Sequence, residues 1–214
     1  QGLALWSPEA PVLYTVTVTV ETAAGTDTLT QRTGFKYFEV RGRDFYLNGK
    51  PYFFHGVLDQ GYFSDGIFTP ATPEEYKRDI LTMKSLGFNT LRKHIKLEPE
   101  LFYYYCDKLG MIVFQDMINN SDYSFIRDTA LPTVGLKKLN DKHLHRNKES
   151  RAAFECCMRE IIDTLKCHPS VCYYTIFNEG WGQFDSQAAY EHLKRLDSTR
   201  FIDTASGWFK GADS

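Results

Sequence analysis

The sequence predicts an α/β fold that follows a short all-β segment. Apolar and polar residues alternate strictly over residues 13–22, which is typical of a half-buried antiparallel strand. From residue 53 onward, short apolar strands alternate with amphipathic helical patterns, as in parallel βα units. No Gly-x-Gly-x-x-Gly or Walker-type loop follows any of these strands, so a barrel is favoured over a doubly wound nucleotide-binding sheet. We expect no cofactor.

Residues 1–40 contain the all-β segment. A turn over residues 23–27 leads from the first strand into two further extended stretches, at residues 28–32 and 35–40. Three strands are too few for the usual seven of a sandwich, so this segment is predicted to be the tail of an all-β domain that begins upstream. An Asn48-Gly49 pair between two apolar arms then predicts a hairpin.

Residues 41–214 are predicted to form the first part of a (β/α)8 barrel. The predicted strands cover residues 53–57, 88–92, 111–115, 171–177 and 200–204. Predicted helices lie between them, at residues 72–86, 99–109 and 186–196 and around the apolar face from Phe154 to Leu165. A complete barrel has eight strands, so we expect a truncated one. The polar stretch at 119–146 is too long for an ordinary βα loop, which indicates a functional or mobile segment.

Composition excludes several classes of partner. The 25 basic and 27 acidic residues are mixed along the chain and leave a net charge of -2, without the basic block that nucleic-acid binding requires. No apolar stretch approaches the roughly 20 residues that span a bilayer, so no membrane partner is expected. An aromatic content of 15% fits sugar stacking and core packing equally. The five cysteines are interpreted as reduced core residues.

Candidate functional residues lie where the predicted barrel strands end, because that end of a barrel faces the active site. They are Asp59, Arg92, His94, Asp116, Asn178, Glu179 and Trp208. Glu179 follows the most apolar strand, where a carboxylate is costly unless it is paired or used. Its neighbour Asn178 could hold a sugar hydroxyl while Glu179 donates a proton to the glycosidic oxygen. The alternative is an Asn-Glu pair that only opens a helix.

The other candidates keep two interpretations each. Arg92 and His94 could bind substrate oxygens or hold a carboxylate ionised, or they could form a salt bridge within the barrel mouth. Asp116 could bind sugar hydroxyls or pair with Arg92. His168, which precedes a proline, is interpreted as structural. His143 and His145 lack further ligands at metal-binding spacing, so no metal site is predicted.

These motifs resemble those of glycoside hydrolase family 2, the group of β-galactosidases, β-glucuronidases and β-mannosidases. Two stretches keep the order and spacing of the family's signatures, one from Asn89 to Phe114 and one from His168 to Glu179. Residues 6–14, 34–36 and 47–51 resemble its passage from an immunoglobulin-like sandwich into the barrel. The chain departs from the signatures at His94, which lies one position early, and at Cys167, which replaces a usual Asn.

The resemblance implies a retaining β-glycosidase that acts on a carbohydrate, with β-galactosidase the expected activity. Glu179 would then be the acid/base carboxylate, and a second Glu would be the nucleophile. In the family that nucleophile ends a later strand, so we expect this chain to be a fragment that lacks it and is inactive alone. Two alternatives stay open, which are a degenerate barrel that binds glycans without cutting them and a barrel glycosidase of another family.

Overall fold

An antiparallel hairpin opens the computed structural model, which describes residues 2–119, 122–136 and 141–205. Strands β1 (Tyr14–Thr22) and β2 (Gly25–Thr33) pair along their whole length. The alternation at residues 13–22 is therefore a strand, as predicted, but the turn is shorter than expected because pairing continues to Gly25. The valines at 16, 18 and 20 remain 45–54% exposed, so this hairpin leaves its apolar face uncovered by the residues that the structure describes.

The Asn48-Gly49 hairpin is confirmed. Strands β3 (Phe38–Arg41), β4 (Asp44–Leu47) and β5 (Lys50–Pro51) form a small antiparallel sheet. Asn48 and Gly49 have φ angles of 52° and 80°, and two positive φ values in a row are what a tight type I′ turn requires. The second arm is shorter than its apolar sequence suggested.

Five parallel strands form the main sheet. They are β6 (Gly56–Asp59), β7 (Thr90–Lys93), β8 (Ile112–Asp116), β9 (Val171–Phe177) and β10 (Phe201–Ala205). Each strand lies beside the next one in sequence, in the order β10-β9-β8-β7-β6. A doubly wound sheet reverses this order partway across, so the arrangement is that of a barrel wall. The predicted partial barrel is confirmed.

Helices connect these strands. They are α1 (Pro73–Ser85), α2 (Glu100–Leu109), a π-helical turn (Ile126–Ala130) that continues as the short α3 (Leu131–Thr133), α4 (Lys148–Leu165) and α5 (Ser186–Leu196). Asn147 caps α4 by accepting hydrogen bonds from the backbone N–H groups of Glu149 and Ser150. None of the helices described is both long and apolar enough to cross a membrane.

Strands β6 and β7 begin two or more residues later than predicted, at Gly56 and at Thr90. Strand β6 starts at Gly56, not at Phe53, because Phe54 packs in an aromatic cluster instead of the sheet. Its ring centroid lies 4.9 Å from that of Phe114 and 5.9 Å from that of Phe38. Apolar residues that look like part of a strand in the sequence can therefore lie in the layer that closes the amino-terminal end of the barrel.

The largest core lies between the sheet and the helices. It includes Ile80, Phe102, Tyr103, Val113, Met158, Ile161, Leu165, Ile176, Phe177 and Leu193. A second cluster surrounds Trp6, which is fully buried and donates a hydrogen bond from Nε1 to the Asp107 carbonyl at 2.8 Å. This contact attaches the amino-terminal segment to α2 and to the end of the barrel where the strands begin.

The cysteine prediction is only partly correct. All five thiols are free, as expected, but only Cys106 and Cys172 are buried. Cys156 is exposed on α4, and Cys157 and Cys167 are half-buried. The apolar face of α4 uses other residues of that helix, so Cys156 falls on the solvent side.

Candidate active site

A row of polar side chains crosses the carboxyl ends of three neighbouring strands. Arg92 of β7 donates a hydrogen bond from Nε to Asp116 Oδ1 at 2.9 Å and another from Nη2 to Asn178 Oδ1 at 2.9 Å. The three residues come from separate parts of the sequence and meet because parallel strands end at one edge. We call them the Arg92 cluster.

Asp116 is the buried member of the Arg92 cluster. Its side chain is 0% exposed, whereas that of Arg92 is 31% exposed. The second carboxylate oxygen, Oδ2, is buried and has no hydrogen-bond partner among the residues that the structure describes. A buried acceptor left unsatisfied is costly, so this oxygen is suited to accept a hydrogen bond from a ligand hydroxyl.

Glu179 follows the Arg92 cluster directly but faces outward. Asn178 is 3% exposed, whereas Glu179 is exposed. The backbone of Glu179 has a φ of 54°, a left-handed conformation that is uncommon for any residue other than glycine. The N–H of Trp181 donates to the Asn178 carbonyl at 3.1 Å and closes the turn. Such backbone strain is concentrated at functional sites, where it directs a side chain toward a ligand.

Two aromatic side chains near Glu179 were not among the sequence candidates. Trp181 is 38% exposed and its ring centroid lies 5.4 Å from that of Tyr123, which is 45% exposed. Exposed aromatic rings at the edge of a polar site are suited to stack on the C–H faces of a sugar. The signal that could have identified Trp181 is its position two residues after the candidate carboxylate. Tyr123 had no such signal within the long polar stretch.

Asp59 belongs to a different cluster, on the helix side of the sheet. Its carboxylate accepts hydrogen bonds from Lys93 Nζ and from the Gly61 N–H, both at 2.8 Å. Lys93 is 1% exposed and also bonds to Glu98 Oε1 at 2.8 Å. Neighbouring strand residues point to opposite faces, so Lys93 and its partners lie away from Arg92. The structure does not bring Asp59 into the Arg92 cluster.

Of the remaining sequence candidates, the structure describes His94. His94 is half-buried at the end of β7, and its backbone N–H donates to the Asp59 carbonyl at 3.0 Å. Trp208 lies outside the described residues. His145 is buried and its Nε2 lies 3.1 Å from Asp128 Oδ1, beside Arg127. Among the described residues, no group of three or more His, Cys, Asp or Glu side chains is placed to hold a metal ion.

Comparison with known protein families gives matches over nearly all of the chain. Residues 38–212 match the profile described as "Glycosyl hydrolases family 2, TIM barrel domain", and residues 1–36 match the profile "Glycosyl hydrolases family 2". A β-galactosidase of Priestia megaterium is 27% identical over 203 residues, which cover 93% of this chain and 19% of that protein. A β-galactosidase of Aeromonas hydrophila is 30% identical and covers 98% of this chain. The chain thus spans about a fifth of the length of these relatives.

Solved structures show the same fold. A β-galacturonidase from Eisenbergiella tayi bound to galacturonate superposes with a TM-score of 0.74 at 26% identity, over 94% of this chain and 34% of that one. Bacteroides uniformis β-glucuronidase 2, covalently bound to cyclophellitol-6-carboxylate aziridine, has a TM-score of 0.71 at 25% identity, over 93% of this chain and 24% of that one.

Proposed function

Because this chain belongs to glycoside hydrolase family 2, we propose that it forms part of a β-glycosidase in which Glu179 is the acid/base carboxylate. The proposal rests on the position of Glu179, an exposed carboxylate that directly follows Asn178. Asn178 is buried and belongs to the Arg92 cluster. The family membership also excludes the alternative that the chain belongs to another barrel glycosidase family.

The proposed roles follow from the contacts of each side chain. Glu179 protonates the leaving oxygen and later removes a proton from water. The Arg92 hydrogen bonds hold Asn178 and Asp116 in place, so that both present polar atoms at fixed positions to the sugar hydroxyls. Trp181 and Tyr123 supply the apolar surface for the sugar ring. His94 and Trp208 remain predicted substrate-binding residues. Asp59 contacts Lys93 and not the Arg92 cluster, so we propose that it influences the site only through Lys93.

A retaining mechanism needs a second carboxylate about 5 to 5.5 Å from the first. At this end of the sheet, Asp116 is paired with Arg92 and Asp59 with Lys93, so both carboxylates already have a cationic partner. We therefore propose that the nucleophile comes from outside strands β6 to β10, and we expect the 214-residue chain by itself to have no hydrolytic activity.

A β-galactoside is the proposed substrate. The two relatives described above are β-galactosidases, whereas the two solved structures are a β-galacturonidase bound to galacturonate and a β-glucuronidase covalently bound to cyclophellitol-6-carboxylate aziridine. A uronic acid carries a carboxylate that requires a cation in the site. The cation of the Arg92 cluster is already paired with Asp116, which supports a neutral sugar.

The test uses the complete gene product and aryl β-galactosides, β-glucuronides, β-galacturonides and β-mannosides. Wild type is expected to hydrolyse the galactoside fastest. Glu179→Gln should lose roughly 10²- to 10⁴-fold in rate on substrates with poor leaving groups, because general acid catalysis contributes about that much. The loss should shrink as the leaving group becomes more acidic, since such a group needs less protonation.

Glu191→Gln is the matched control, because Glu191 is exposed on α5, where it accepts a hydrogen bond from Gln187. It should leave the rate unchanged. An equal loss for Glu179→Gln on all leaving groups would contradict the assignment of Glu179 as the proton donor. Saccharide binding without turnover by the complete protein would instead support the glycan-binding alternative.

A further inference from the structure

A buried ion pair holds the segment that carries Tyr123. Asp128 is 5% exposed and forms a bidentate pair with its neighbour Arg127, whose Nε donates to Oδ1 at 3.0 Å and whose Nη2 donates to Oδ2 at 3.1 Å. Oδ2 also accepts the backbone N–H of Ser124 at 2.7 Å. Charge-assisted hydrogen bonds of this kind are strong and directional. The carboxylate of Asp128 therefore fixes the backbone directly after Tyr123.

His145 ties this ion pair to the body of the barrel. Burial lowers the pKa of its imidazole, so the ring is uncharged at pH 7. Its Nδ1 can then accept the hydrogen bond that Arg127 Nη2 is placed to donate at 3.0 Å. The carbonyl of His145 accepts a hydrogen bond from Nε of Arg151, a residue of α4, at 2.7 Å. Contacts with a long helix thus hold the segment that carries Tyr123.

A second buried contact ties the same region to the turn that carries Trp181. Asp141, four residues before His145, accepts hydrogen bonds at Oδ2 from Gln183 Nε2 at 2.8 Å and from the Ser186 N–H at 3.1 Å. Gln183 is fully buried and lies two residues after Trp181. Both aromatic residues therefore lie on segments that buried polar contacts hold in place, as a binding site requires.

The position of the two rings relative to Glu179 indicates which half of a substrate they contact. Glu179 is proposed to protonate the glycosidic oxygen, so the two groups that this oxygen joins lie on either side of it. The Arg92 cluster lies on the inner side, with its carboxylate and amide buried, whereas Tyr123 and Trp181 are exposed on the outer side. In a retaining reaction the leaving group departs into solvent while the sugar stays on the enzyme. The buried side is therefore suited to the retained sugar and the exposed side to the leaving group.

We propose that Tyr123 and Trp181 form a leaving-group subsite, and that Asp128 is the positioning residue that holds Tyr123 in it. The subsite selects β-glycosides whose leaving group is a ring, either a second sugar or an aryl group, because a ring presents a flat face to the aromatic pair. This inference rests on the proposed role of Glu179 and adds the class of leaving group to it.

The first test compares two leaving groups on one sugar. Phenyl and methyl β-thioglycosides of the four sugars in the activity panel resist hydrolysis, so calorimetry can measure their binding to the complete gene product. Wild type should bind the phenyl compound about 3- to 10-fold more tightly than the methyl compound of the same sugar. Trp181→Ala and Tyr123→Ala should bring this ratio close to 1, and Trp181→Phe should keep most of it. Phe53→Ala is the matched control, because Phe53 is 76% exposed at the opposite end of the sheet, and it should leave the ratio unchanged.

The second test addresses Asp128. Asp128→Asn keeps the shape of the side chain but removes the charge that pairs with Arg127. It should raise KM for a p-nitrophenyl glycoside by about 3- to 10-fold with kcat unchanged. Both constants should stay unchanged for the glycosyl fluoride, whose leaving group has no ring, whereas a general loss of structure would affect both substrates. Asp163→Asn is the matched control, because Asp163 forms an exposed ion pair with Lys166, and it should change neither substrate.

The outcomes separate the subsite from the proposed reaction. Wild type that does not prefer the phenyl compound, or an equal loss of phenyl and methyl affinity in Trp181→Ala, overturns the subsite. An unchanged KM for the p-nitrophenyl glycoside in Asp128→Asn overturns the positioning role. Arg127→Lys keeps the charge but not the bidentate geometry, so it should give the same split and decides this role if Asp128→Asn does not fold. A preference for the phenyl compound in a wild type without turnover supports the subsite and contradicts only the proposed reaction.

Discussion

Replacing Arg92 by Met tests how the Arg92 cluster is held together. The substitution keeps much of the apolar stem but removes the two hydrogen bonds, to Asp116 at 2.9 Å and to Asn178 at 2.9 Å. Asp116 would then keep a buried carboxylate without its cation. Removing one partner of a buried ion pair costs about 3 to 5 kcal/mol, because the remaining charge is uncompensated.

The structure favours the lower end of that range. Asp116 is 0% exposed, but Arg92 is 31% exposed, so solvent can partly enter the space that the guanidinium leaves. We therefore expect Arg92→Met to lower the free energy of unfolding by about 3 kcal/mol. Asp116→Asn alone should also cost stability, because Arg92 loses its anionic partner. The double variant should lose less than the sum of the two, since neither charge is then left buried alone.

Urea unfolding of the four proteins gives this double-mutant cycle directly. At roughly 2 to 4 °C per kcal/mol for a chain of this size, thermal melts should show a drop of about 6 to 12 °C for Arg92→Met. A loss below about 1 kcal/mol for Arg92→Met, or strictly additive effects in the cycle, would refute the buried ion pair as a stabilising unit.

Three further predictions concern stability. In the folded protein the hydrogen bond to Asp107 outweighs burial and raises the pKa of His168 from 6.5 to about 9. The contribution of this histidine to the free energy of unfolding is therefore complete below pH 6.5 and is lost as the pH rises toward 9. Over that interval the free energy of unfolding of wild type should fall by up to about 3 kcal/mol more than that of His168→Gln. Parallel pH profiles of the two proteins in urea melts would contradict this. Gly110→Ala should cost several kcal/mol, because φ is 73° and a Cβ would lie 2.2 Å from the Pro8 carbonyl oxygen. Its control, Gly87→Ala, has a φ of 91° with open space and should cost only about 1 to 2 kcal/mol; equal losses for the two variants would rule out the clash. Asn147→Ala removes the cap of α4 and should cost about 1 kcal/mol, measured by the same melts, whereas an unchanged midpoint would show that the cap hydrogen bonds do not stabilise the helix.

Much of the fold could be predicted from the sequence because the signals are local. The alternation at residues 13–22, the Asn48-Gly49 pair and the apolar face of α4 each depend on residues that are close in the chain. Strand boundaries were less accurate, as at Phe53 and Phe54, because an apolar residue is equally suited to a sheet and to the layer that closes it. The proposed domain boundary at residue 40 stays a prediction.

The sequence by itself determined the order of strands and helices and the position of the candidate residues at strand ends. It also contained the two stretches that resemble the family's signatures. These properties need only the chain's own periodicity and spacing. Residues that end neighbouring parallel strands were expected to meet, and Arg92, Asp116 and Asn178 do.

Only the tertiary structure decided which strand-end residues contact one another. It separates Asp59 from Arg92 because adjacent strand residues point to opposite faces, and it pairs Asp59 with Lys93 instead. It brings Tyr123 to Trp181 and His168 to Asp107 across long stretches of sequence. Contacts between distant residues depend on how the whole chain packs, and a local pattern does not contain that information.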